Sequence, residues 1–277
     1  MKKIIVFALI FFVTATALQA QLKQSLKKVM ELKMPKTADD DMPGTRGASV
    51  AWHPVQKKYY AVMAGNIEYP LAVFDPAGKR VSNDELTAMN DSRGLWYNPA
   101  TKEINGNGFG ETGWFRYVLD KKGIPESAPI TLEGSNQPDG QCVGAFHPVR
   151  KEVLFLYGGV VSLYSLADGS SSGSVEINWG KKKAGNAPDG GSEGESGQTP
   201  SAYNSTSVIY TGIKNAELGF LNTEKKTIEL YDFVSGFLTK ELPLPGNAVT
   251  ESTFNFAYAN GIYWLFNMET RTWTGYK

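Results

Sequence analysis

Five hairpin signals recur along the chain. Each is a run of aromatic and aliphatic residues, then a tight polar turn, then a second such run, as in "VAWHPVQKKYYAVMAG" and "GAFHPVRKEVLFLYGG". This pattern predicts two antiparallel strands joined by a short turn. The turn centres are 45, 49, 64 and 48 residues apart and lie at Pro54, Pro99, Pro148, Gly212 and about Asn260. Because a unit of that length cannot bury its apolar residues alone, the spacing predicts repeated units packed side by side.

A second landmark repeats in the same register. An aspartate with a glycine shortly after it follows four of the turn centres by 20 or 21 residues, at Asp75, Asp120, Asp168 and Asp232. The aspartate carboxylate accepts hydrogen bonds from backbone amides and the glycine adopts positive φ, so this pair is typical of a turn. Each unit is therefore predicted to hold four strands, A to D, with the first turn between A and B and the aspartate turn between C and D.

These units predict an all-β chain folded as a five-bladed β-propeller of four-stranded antiparallel blades. The fifth unit, "STFNFAYANGIYWLFNMETRTWTGYK", has room only for strands A to C. The segment "LKKVMELKMP" (26–35) is similar to the D-strand segment "TKELPLPGN" (239–247), so it is predicted to supply the missing strand. A ring closed in this way leaves no open sheet edge. The alternative for the same segment is an amphipathic helix carrying Leu22, Leu26, Val29 and Met30.

The repeat resembles that of secreted bacterial β-propeller proteins, the broad group with NHL, YVTN and kelch-like blades. The resemblance covers residues 26–277 and lies in the hairpin phrases and spaced aspartates quoted above. The chain does not reproduce the paired glycines and spaced Tyr and Trp of a kelch blade, the "WD" of a WD40 blade or a literal "YVTN". The resemblance therefore implies the architecture and carries over no functional residue.

The N-terminus reads as an export signal. Two lysines precede an apolar run and a small-residue site that ends at Ala20, which is the pattern of a cleaved secretory signal peptide over residues 1–20. The single cysteine, Cys142, is not at the cleavage point, so no lipid anchor is expected. We therefore expect a secreted or periplasmic protein whose residues 21–277 form one propeller domain.

Charge and composition exclude several classes of partner. Removal of Lys2 and Lys3 with the signal leaves 26 basic against 28 acidic residues. This balance lacks the excess of positive charge by which proteins bind nucleic acid or an anionic membrane. No later segment approaches about 18 consecutive apolar residues, so membrane insertion is not expected. One cysteine cannot form an internal disulfide. The composition indicates no cofactor and no metal, and it does not determine the oligomeric state.

One segment interrupts the repeat. Residues 178–204 are rich in glycine, serine, lysine and glutamate and account for the 64-residue spacing, so the region of about 180–204 is predicted to be a mobile insert. It joins strand D of one blade to strand A of the next. It could act as a lid over a ligand or be an insertion without function.

Several motifs are predicted to carry no chemistry. His53 and His147 occupy equivalent turn positions and are two blades apart, so they are expected to stabilise hairpins. "GFGETG" (108–113) leads into a strand and not a helix, which rules against a dinucleotide site. "GSSSG" (169–173) and "SLKK" (25–28) match catalytic strings only by composition. The acidic run Asp39–Asp41 is interpreted as a solvated acidic turn, with oxygen ligands for calcium as the alternative.

The predicted function is ligand binding without catalysis at the face formed by the D–A and B–C connections. Loops that vary on a rigid scaffold commonly carry recognition, and the D–A loops vary most in length. Exposed aromatic rings are expected beside the site, because sugar and peptide faces stack on rings; they are Trp114, Tyr69, Trp179 and Tyr203. The predicted partner is a glycan, a peptide or a protein. The predicted ligand-binding residues are Arg46, Asp91, Arg93, Trp114, Asp139, Gln141, Asn204 and Glu251.

The rival prediction is a carbohydrate-active hydrolase. Asp91 and Asp139 would serve as its acid and base, since glycoside hydrolysis uses two carboxyl groups at a defined separation. Their separation is not encoded in the sequence pattern, so both functions stay open at this point.

Overall fold

A computed structural model describes residues 25–35, 46–65, 72–183 and 198–277 of the chain. The signal peptide, Leu22, Asp39–Asp41 and Tyr69 lie outside these residues. Within them the chain forms small antiparallel sheets arranged in a ring, which is a five-bladed β-propeller as predicted. No helix in the described part of the chain is long and apolar enough to span a bilayer.

The first strand of the chain, β1 (Lys28–Lys33), belongs to the last blade, and blades 1 and 2 follow it. Blade 1 contains β2 (Arg46–His53), β3 (Lys58–Ala64) and β4 (Ala72–Phe74), with a single bridge from Phe74 to Arg80 in place of a fourth strand. Blade 2 contains β5 (Ser92–Asn98), β6 (Glu103–Gly108), β7 (Trp114–Arg116) and, at its outer edge, β10 (Ile130–Leu132). A 3-10 turn at Gly110–Thr112 lies between β6 and β7, and a separate small hairpin of β8 (Val118–Leu119) and β9 (Pro125–Ser127) lies between β7 and β10.

Blades 3 and 4 complete the order. Blade 3 contains β11 (Ala145–His147), β12 (Glu152–Tyr157), β13 (Val160–Ser165) and β14 (Ser171–Glu176). Blade 4 has an extra outer strand, β15 (Asn178–Lys182), beside β16 (Ile209–Tyr210), β17 (Leu218–Asn222), β18 (Thr227–Tyr231) and β19 (Phe237–Pro243). All five predicted A–B turns and the four aspartate turns lie where the sequence places them.

Blade 5 is closed by both ends of the described chain. It contains β20 (Phe256–Ala259), β21 (Ile262–Asn267) and β22 (Thr272–Tyr276), and β1 pairs antiparallel with β22 from Lys28↔Tyr276 to Lys33↔Thr272. Reciprocal backbone hydrogen bonds of 2.8 and 2.9 Å between Lys27 and Lys277 extend this pairing. The helix alternative is wrong, because Leu32 and Met34 alternate into the core with the two-residue period of a strand.

The core lies between blades. Five apolar clusters fill the five interfaces, and each takes side chains from the facing sheets of two neighbouring blades. Between blades 5 and 1, for example, Trp264, Phe266 and Trp273 pack with Tyr59 and Phe74. Since both faces of each sheet are covered, no blade holds a complete core by itself.

The insert is more ordered at its start than predicted. Strand β15 pairs in parallel with β19, so residues 180–182 of the predicted insert belong to a sheet, whereas residues 184–197 lie outside the described residues. Trp179 is half-buried, with its ring centroid 4.6 Å from Tyr203 and 4.8 Å from Phe220. Tyr203 is itself buried and donates a 2.7 Å hydrogen bond to the buried carboxylate of Glu229. These two rings therefore pack on blade 4 and are not the freely exposed aromatics that the sequence suggested.

Removal of β1 should open the ring. A chain that begins at Thr37 lacks the partner of β22, so we expect a loss of roughly 3 kcal/mol or more in the free energy of unfolding, from lost cross-strand contacts and an exposed edge. Urea unfolding followed by circular dichroism measures the loss. A chain that begins at Ser25 is the matched control and should unfold like the full mature protein. Equal melting temperatures of the two truncated chains, within a degree or two, would contradict the role assigned to β1.

Candidate functional site

The A strands surround a central channel with two chemically different ends. We call the end formed by the D–A and B–C connections the D–A end, and the end formed by the A–B turns the A–B end. The predicted ligand-binding residues, Trp114 apart, gather at the D–A end. Their contacts show how that end of the channel is built.

A phenylalanine fills the D–A end. Phe254, just before β20, is only 3% exposed. The guanidinium carbons of Arg46 from blade 1 and Arg93 from blade 2 lie 5.8 and 5.6 Å from its ring centroid. Its backbone N–H donates a 2.7 Å hydrogen bond to Oγ1 of Thr206, which precedes blade 4. The ring thus contacts blades 1 and 2 while its backbone is bonded to the segment before blade 4, which holds Phe254 at the D–A end of the channel.

The segment around Phe254 is held from both sides. Asn204 is fully buried, and its Nδ2 donates hydrogen bonds of 2.9 and 2.7 Å to the carbonyls of Glu251 and Phe254. On the other side, Gly47 N–H donates a 2.7 Å hydrogen bond to Oδ1 of Asn255. Phe254 has φ of +50°, a region that bulky residues avoid. The surrounding contacts therefore offset a locally unfavourable backbone.

Arg93 is used within the protein. Its side chain is almost entirely buried and forms a bidentate ion pair with Asp91. Its Nε donates a 3.1 Å hydrogen bond to Oε1 of Gln141 from the next blade, and its guanidinium lies 4.8 Å from the ring centroid of Phe109. The structure thus brings Asp91, Arg93 and Gln141 together, as partners of one another across the interface of blades 2 and 3.

A shallow hollow of about 370 Å³ lies beside the contacts of Arg93 with Gln141, between blades 3 and 4. Asp139 and Gln141 line it, and Oδ1 of Asp139 accepts a 2.8 Å hydrogen bond from the backbone N–H of Gln141. Tyr157, in the B–C connection of blade 3, adds a half-exposed ring. The predicted role of these residues in ligand binding stays a prediction.

The expected exposure of Trp114 is wrong. Its ring is 2% exposed and packs edge-on against Trp96 and obliquely against Phe155, with centroid distances of 6.0 and 6.3 Å. Trp114 begins strand β7 and points into the interface of blades 2 and 3. A ring in that position cannot stack on a ligand without unpacking the interface.

The A–B end is open. A cavity of about 430 Å³ occupies the channel there, and the A strands of all five blades line it. Ser49, Leu95 and Val143 belong to its deep part, whereas its mouth is formed by the A–B turns. The turn residues at the mouth are Pro54, Pro99, Pro148, Gly212 and Asn260.

One aromatic position recurs in all five blades among the residues that line this cavity, and Trp96 and Phe256 line it as well. The ring stands two residues before the turn centre in every unit, and four of the five side chains are partly exposed. No other position of the five aligned A strands is aromatic in all units. This aromatic column is visible in the aligned sequence, and the predicted site residues do not include it. The five residues are Trp52, Tyr97, Phe146, Tyr210 and Tyr258.

Aromatic neighbours brace these rings. Tyr97 packs on His53 of the preceding blade at a centroid distance of 4.9 Å, and Tyr210 stacks on His147 at 4.4 Å. Within blade 5, Tyr258 lies 5.0 Å from Tyr263. Rings packed in this way are preorganised, so a ligand would lose little entropy in ordering them.

The two histidines stabilise hairpins, as predicted. Nδ1 of His53 accepts a 3.2 Å hydrogen bond from Gln56 N–H, which leaves Nε2–H to donate to the Lys102 carbonyl at 3.0 Å. Nδ1 of His147 accepts a long 3.5 Å hydrogen bond from Arg150 N–H. Burial lowers the pKa of both imidazoles below the usual 6.5. They therefore act as neutral braces behind the aromatic rings.

The cavity is chemically neutral. None of the residues that line it is charged. Burial raises the pKa of Tyr210 and Tyr258, so these phenols stay protonated at neutral pH. The site offers aromatic faces and hydroxyl groups, with neither a carboxyl pair nor an activated nucleophile. Aromatic walls with a few polar groups are suited to hold a ligand group.

A second hollow opens beside the cavity. It has a volume of about 670 Å³, lies between blades 2 and 3, and shares Pro99, Phe146 and Pro148 with the central cavity. Two ion pairs line it, Arg116 with Glu103 at 2.8 Å and Arg150 with Glu152. The A–B end thus presents a neutral aromatic centre and a polar groove that leads outward.

Metal and thiol chemistry find no support in the described residues. These residues contain no group of three or more His, Cys, Asp or Glu side chains placed to bind a metal. Burial raises the pKa of Cys142 to about 12, so its thiol is unreactive at neutral pH. No protein-family model and no curated protein matches this chain. The functional argument therefore depends on the geometry of the channel.

Truncation of Phe254 should destabilise the fold. Phe254→Ala removes a buried ring, so we expect a loss of about 3 kcal/mol in the free energy of unfolding. Phe109→Ala is the matched control, because that ring also contacts Arg93 but is 43% exposed, and it should cost less than Phe254→Ala, about 1 kcal/mol. Denaturant unfolding of both variants measures the difference. Equal losses would mean that Phe254 does not fill the channel.

The histidines should make stability depend on pH. Because their folded-state pKa is lowered, the unfolded chain binds protons first, so their stabilising contribution is complete above pH 6.5 and is lost as pH falls below it. The unfolding free energy should fall between about pH 7.5 and pH 5.5, and less so in a His53→Asn, His147→Asn variant. Asparagine is the matched replacement, since Asn98 occupies the equivalent position in blade 2. An unchanged pH profile in the variant would rule out this contribution.

Proposed function

We propose that this protein is an exported, non-catalytic binding module that holds its ligand in the aromatic cavity at the A–B end of the channel. One observation carries the proposal: five preorganised rings, one from each blade, surround a cavity of about 430 Å³ that is open at its mouth. Cavities of this size with aromatic walls and few polar groups are the usual form of a ligand site. The partner classes expected from the sequence, a glycan, a peptide or a protein, all present groups that stack on rings.

The hydrolase alternative receives less support. Asp91 forms an ion pair with the guanidinium of Arg93, and Asp139 accepts a hydrogen bond from the backbone N–H of Gln141. A glycosidase would need two carboxyl groups free to exchange protons with substrate and water. The open cavity, in turn, has no charged lining residue.

The geometry favours the A–B end over the D–A end. Phe254 and Arg93 fill the D–A end, and the hollow beside them is shallower and smaller than the central cavity. A glycan or peptide site around Tyr157 and Gln141 is the second candidate. Its support is a half-exposed ring next to polar groups on the face whose loops vary most.

Export is part of the proposal. The basic start, the apolar run and the small-residue site at Ala20 support a cleaved signal peptide. A binding module outside the cytoplasm would meet glycans and foreign proteins directly. Mass spectrometry of the protein from its native envelope would test whether the mature chain begins at Gln21.

Two tyrosine variants separate the two candidate faces. The purified mature protein is first screened on glycan and peptide arrays, and the best binder is titrated against Tyr210→Ala and Tyr157→Ala. Tyr210→Ala should weaken binding by about 2 kcal/mol, roughly thirtyfold in Kd, whereas Tyr157→Ala should bind normally. Tyr210→Phe keeps the ring and should retain most of the affinity, which controls for misfolding. Loss of binding in Tyr157→Ala with normal binding in Tyr210→Ala would move the site to the D–A end.

A further inference from the structure

The tips of the A–B turns are apolar. In four of the five turns, an aliphatic residue directly follows the residue that forms the mouth of the cavity. Val55, Val149 and Ile213 are 65%, 85% and 43% exposed, and Ala100 is exposed as well. Single exposed aliphatic residues are common, but four around one aromatic cavity place apolar side chains on most of its circumference. We refer to these four residues as the apolar rim.

The same turns are cationic. They carry five basic residues and one acidic residue, Glu217, whose carboxylate oxygens accept hydrogen bonds from the backbone N–H groups of Asn215 and Phe233. Arg150 is paired with Glu152. The four lysines are exposed, and none forms an ion pair with a residue in the described part of the chain. We refer to Lys57, Lys102, Lys151 and Lys214 as the lysine collar.

The collar charge is not cancelled by the turns further out. The four C–D turns on this face carry four aspartates and three lysines, so their charges nearly balance. Their aspartates accept hydrogen bonds from turn backbone, as Asp120 does from Lys122 and Ile124 at 2.8 and 2.7 Å. The excess positive charge of this face therefore lies next to the mouth of the cavity.

We propose that the A–B end docks an acidic segment of a partner protein, with one apolar or aromatic side chain of that segment inserted into the cavity. The inference rests on the proposed function and specifies its ligand. The five rings would form the pocket for the anchor side chain, as in the centre of a protein interface. The apolar rim would exclude water around the anchor, and the lysine collar would attract the carboxylates on either side of it.

Charge and shape decide between this partner and the others. A neutral glycan would not use the lysine collar, and it would leave the valine tips against sugar hydroxyl groups. An anionic membrane would match the rim and the collar but would leave a cavity of about 430 Å³ unfilled. A protein segment uses all three features at once, because it combines an apolar side chain with acidic neighbours.

The test is an array of short acetylated peptides with one central residue. The central residue is tryptophan, phenylalanine, leucine or alanine, and the flanks are all aspartate, all serine or all lysine. The best aspartate-flanked peptides with tryptophan, phenylalanine or leucine should bind at least tenfold tighter than their alanine, serine-flanked and lysine-flanked counterparts. Their affinity should fall about tenfold from roughly 50 to 300 mM salt, because exposed charges are screened.

Two variants assign the contacts. Tyr210→Ala should weaken the best peptide at least tenfold at both salt concentrations. The collar variant, with Lys57→Glu, Lys102→Glu and Lys151→Glu, should weaken it about tenfold at low salt and little at high salt. The matched control, with Lys33→Glu, Lys183→Glu and Lys240→Glu on or next to outer strands, makes the same charge change away from the channel and should bind normally. Circular dichroism checks that all variants fold.

Any of the following outcomes would overturn the inference. Equal binding of aspartate-flanked and lysine-flanked peptides would show that the lysine collar does not contribute to binding. Equal binding of the tryptophan and alanine peptides would show that no anchor side chain enters the cavity. Collar-dependent binding to phosphatidylserine vesicles without peptide binding would identify a membrane surface. Collar-dependent self-association in sedimentation would identify a second copy of the chain. If an array ligand of another chemistry loses affinity in Tyr210→Ala, only this inference fails, whereas the proposed function fails if no ligand responds to that variant.

Discussion

The pairing of β1 with β22 is the constraint on which the rest of the structure depends. Every apolar cluster lies between two blades, so each sheet is stable only with a neighbour on both faces. A row of five such sheets would expose the outer faces of its first and last members, and pairing between the two ends of the chain removes both exposures together. The channel is a product of this closure, because the five A strands surround an axis only when the ring is complete.

The two ends of the channel differ because the repeat is imperfect at one end and regular at the other. At the D–A end, single residues that occur in one blade only, such as Phe254 and Arg93, pack across the axis and bind to several blades. At the A–B end, each unit repeats an aromatic residue and a tight turn, so five similar side chains face one space. Irregular residues thus pack at one end, and regular residues line a cavity at the other.

Local patterns in the sequence predicted most of the fold. The turns at Pro54 and Asp75 and their counterparts depend on a few adjacent residues, and the closing strand repeats a D-strand pattern, so both could be read directly. The position of Trp114 could not, because blades are buried on both faces and an aromatic residue beside a loop gives no sign of which neighbour covers it. Strand β15 was missed for a similar reason, since its parallel pairing with β19 joins segments that are distant in sequence.

The predicted site and the aromatic cavity lie at opposite ends of the channel. Loop variation points to the D–A end, but whether an end is open depends on the packing of Phe254, which no local pattern shows. The residues that line the cavity were visible as an aromatic column once the units were aligned, yet a column of rings in a strand is ordinarily core. These five rings line an open cavity only because the A strands are arranged around a common axis.

Closure of one end by Phe254 restricts how any molecule can reach the axis. The buried ring of Phe254 stands at the D–A end, whereas the cavity is bordered by the A–B turns at the other end, so a ligand is expected to enter from the A–B end. A long polymer could present only a terminus, a branch or a protruding side chain, and its uninterrupted middle would be sterically excluded. Entry and exit would also share one route, so an occupant must leave before another can arrive. Exchange at this site would then be set by the departure step, independently of the concentration of competitors.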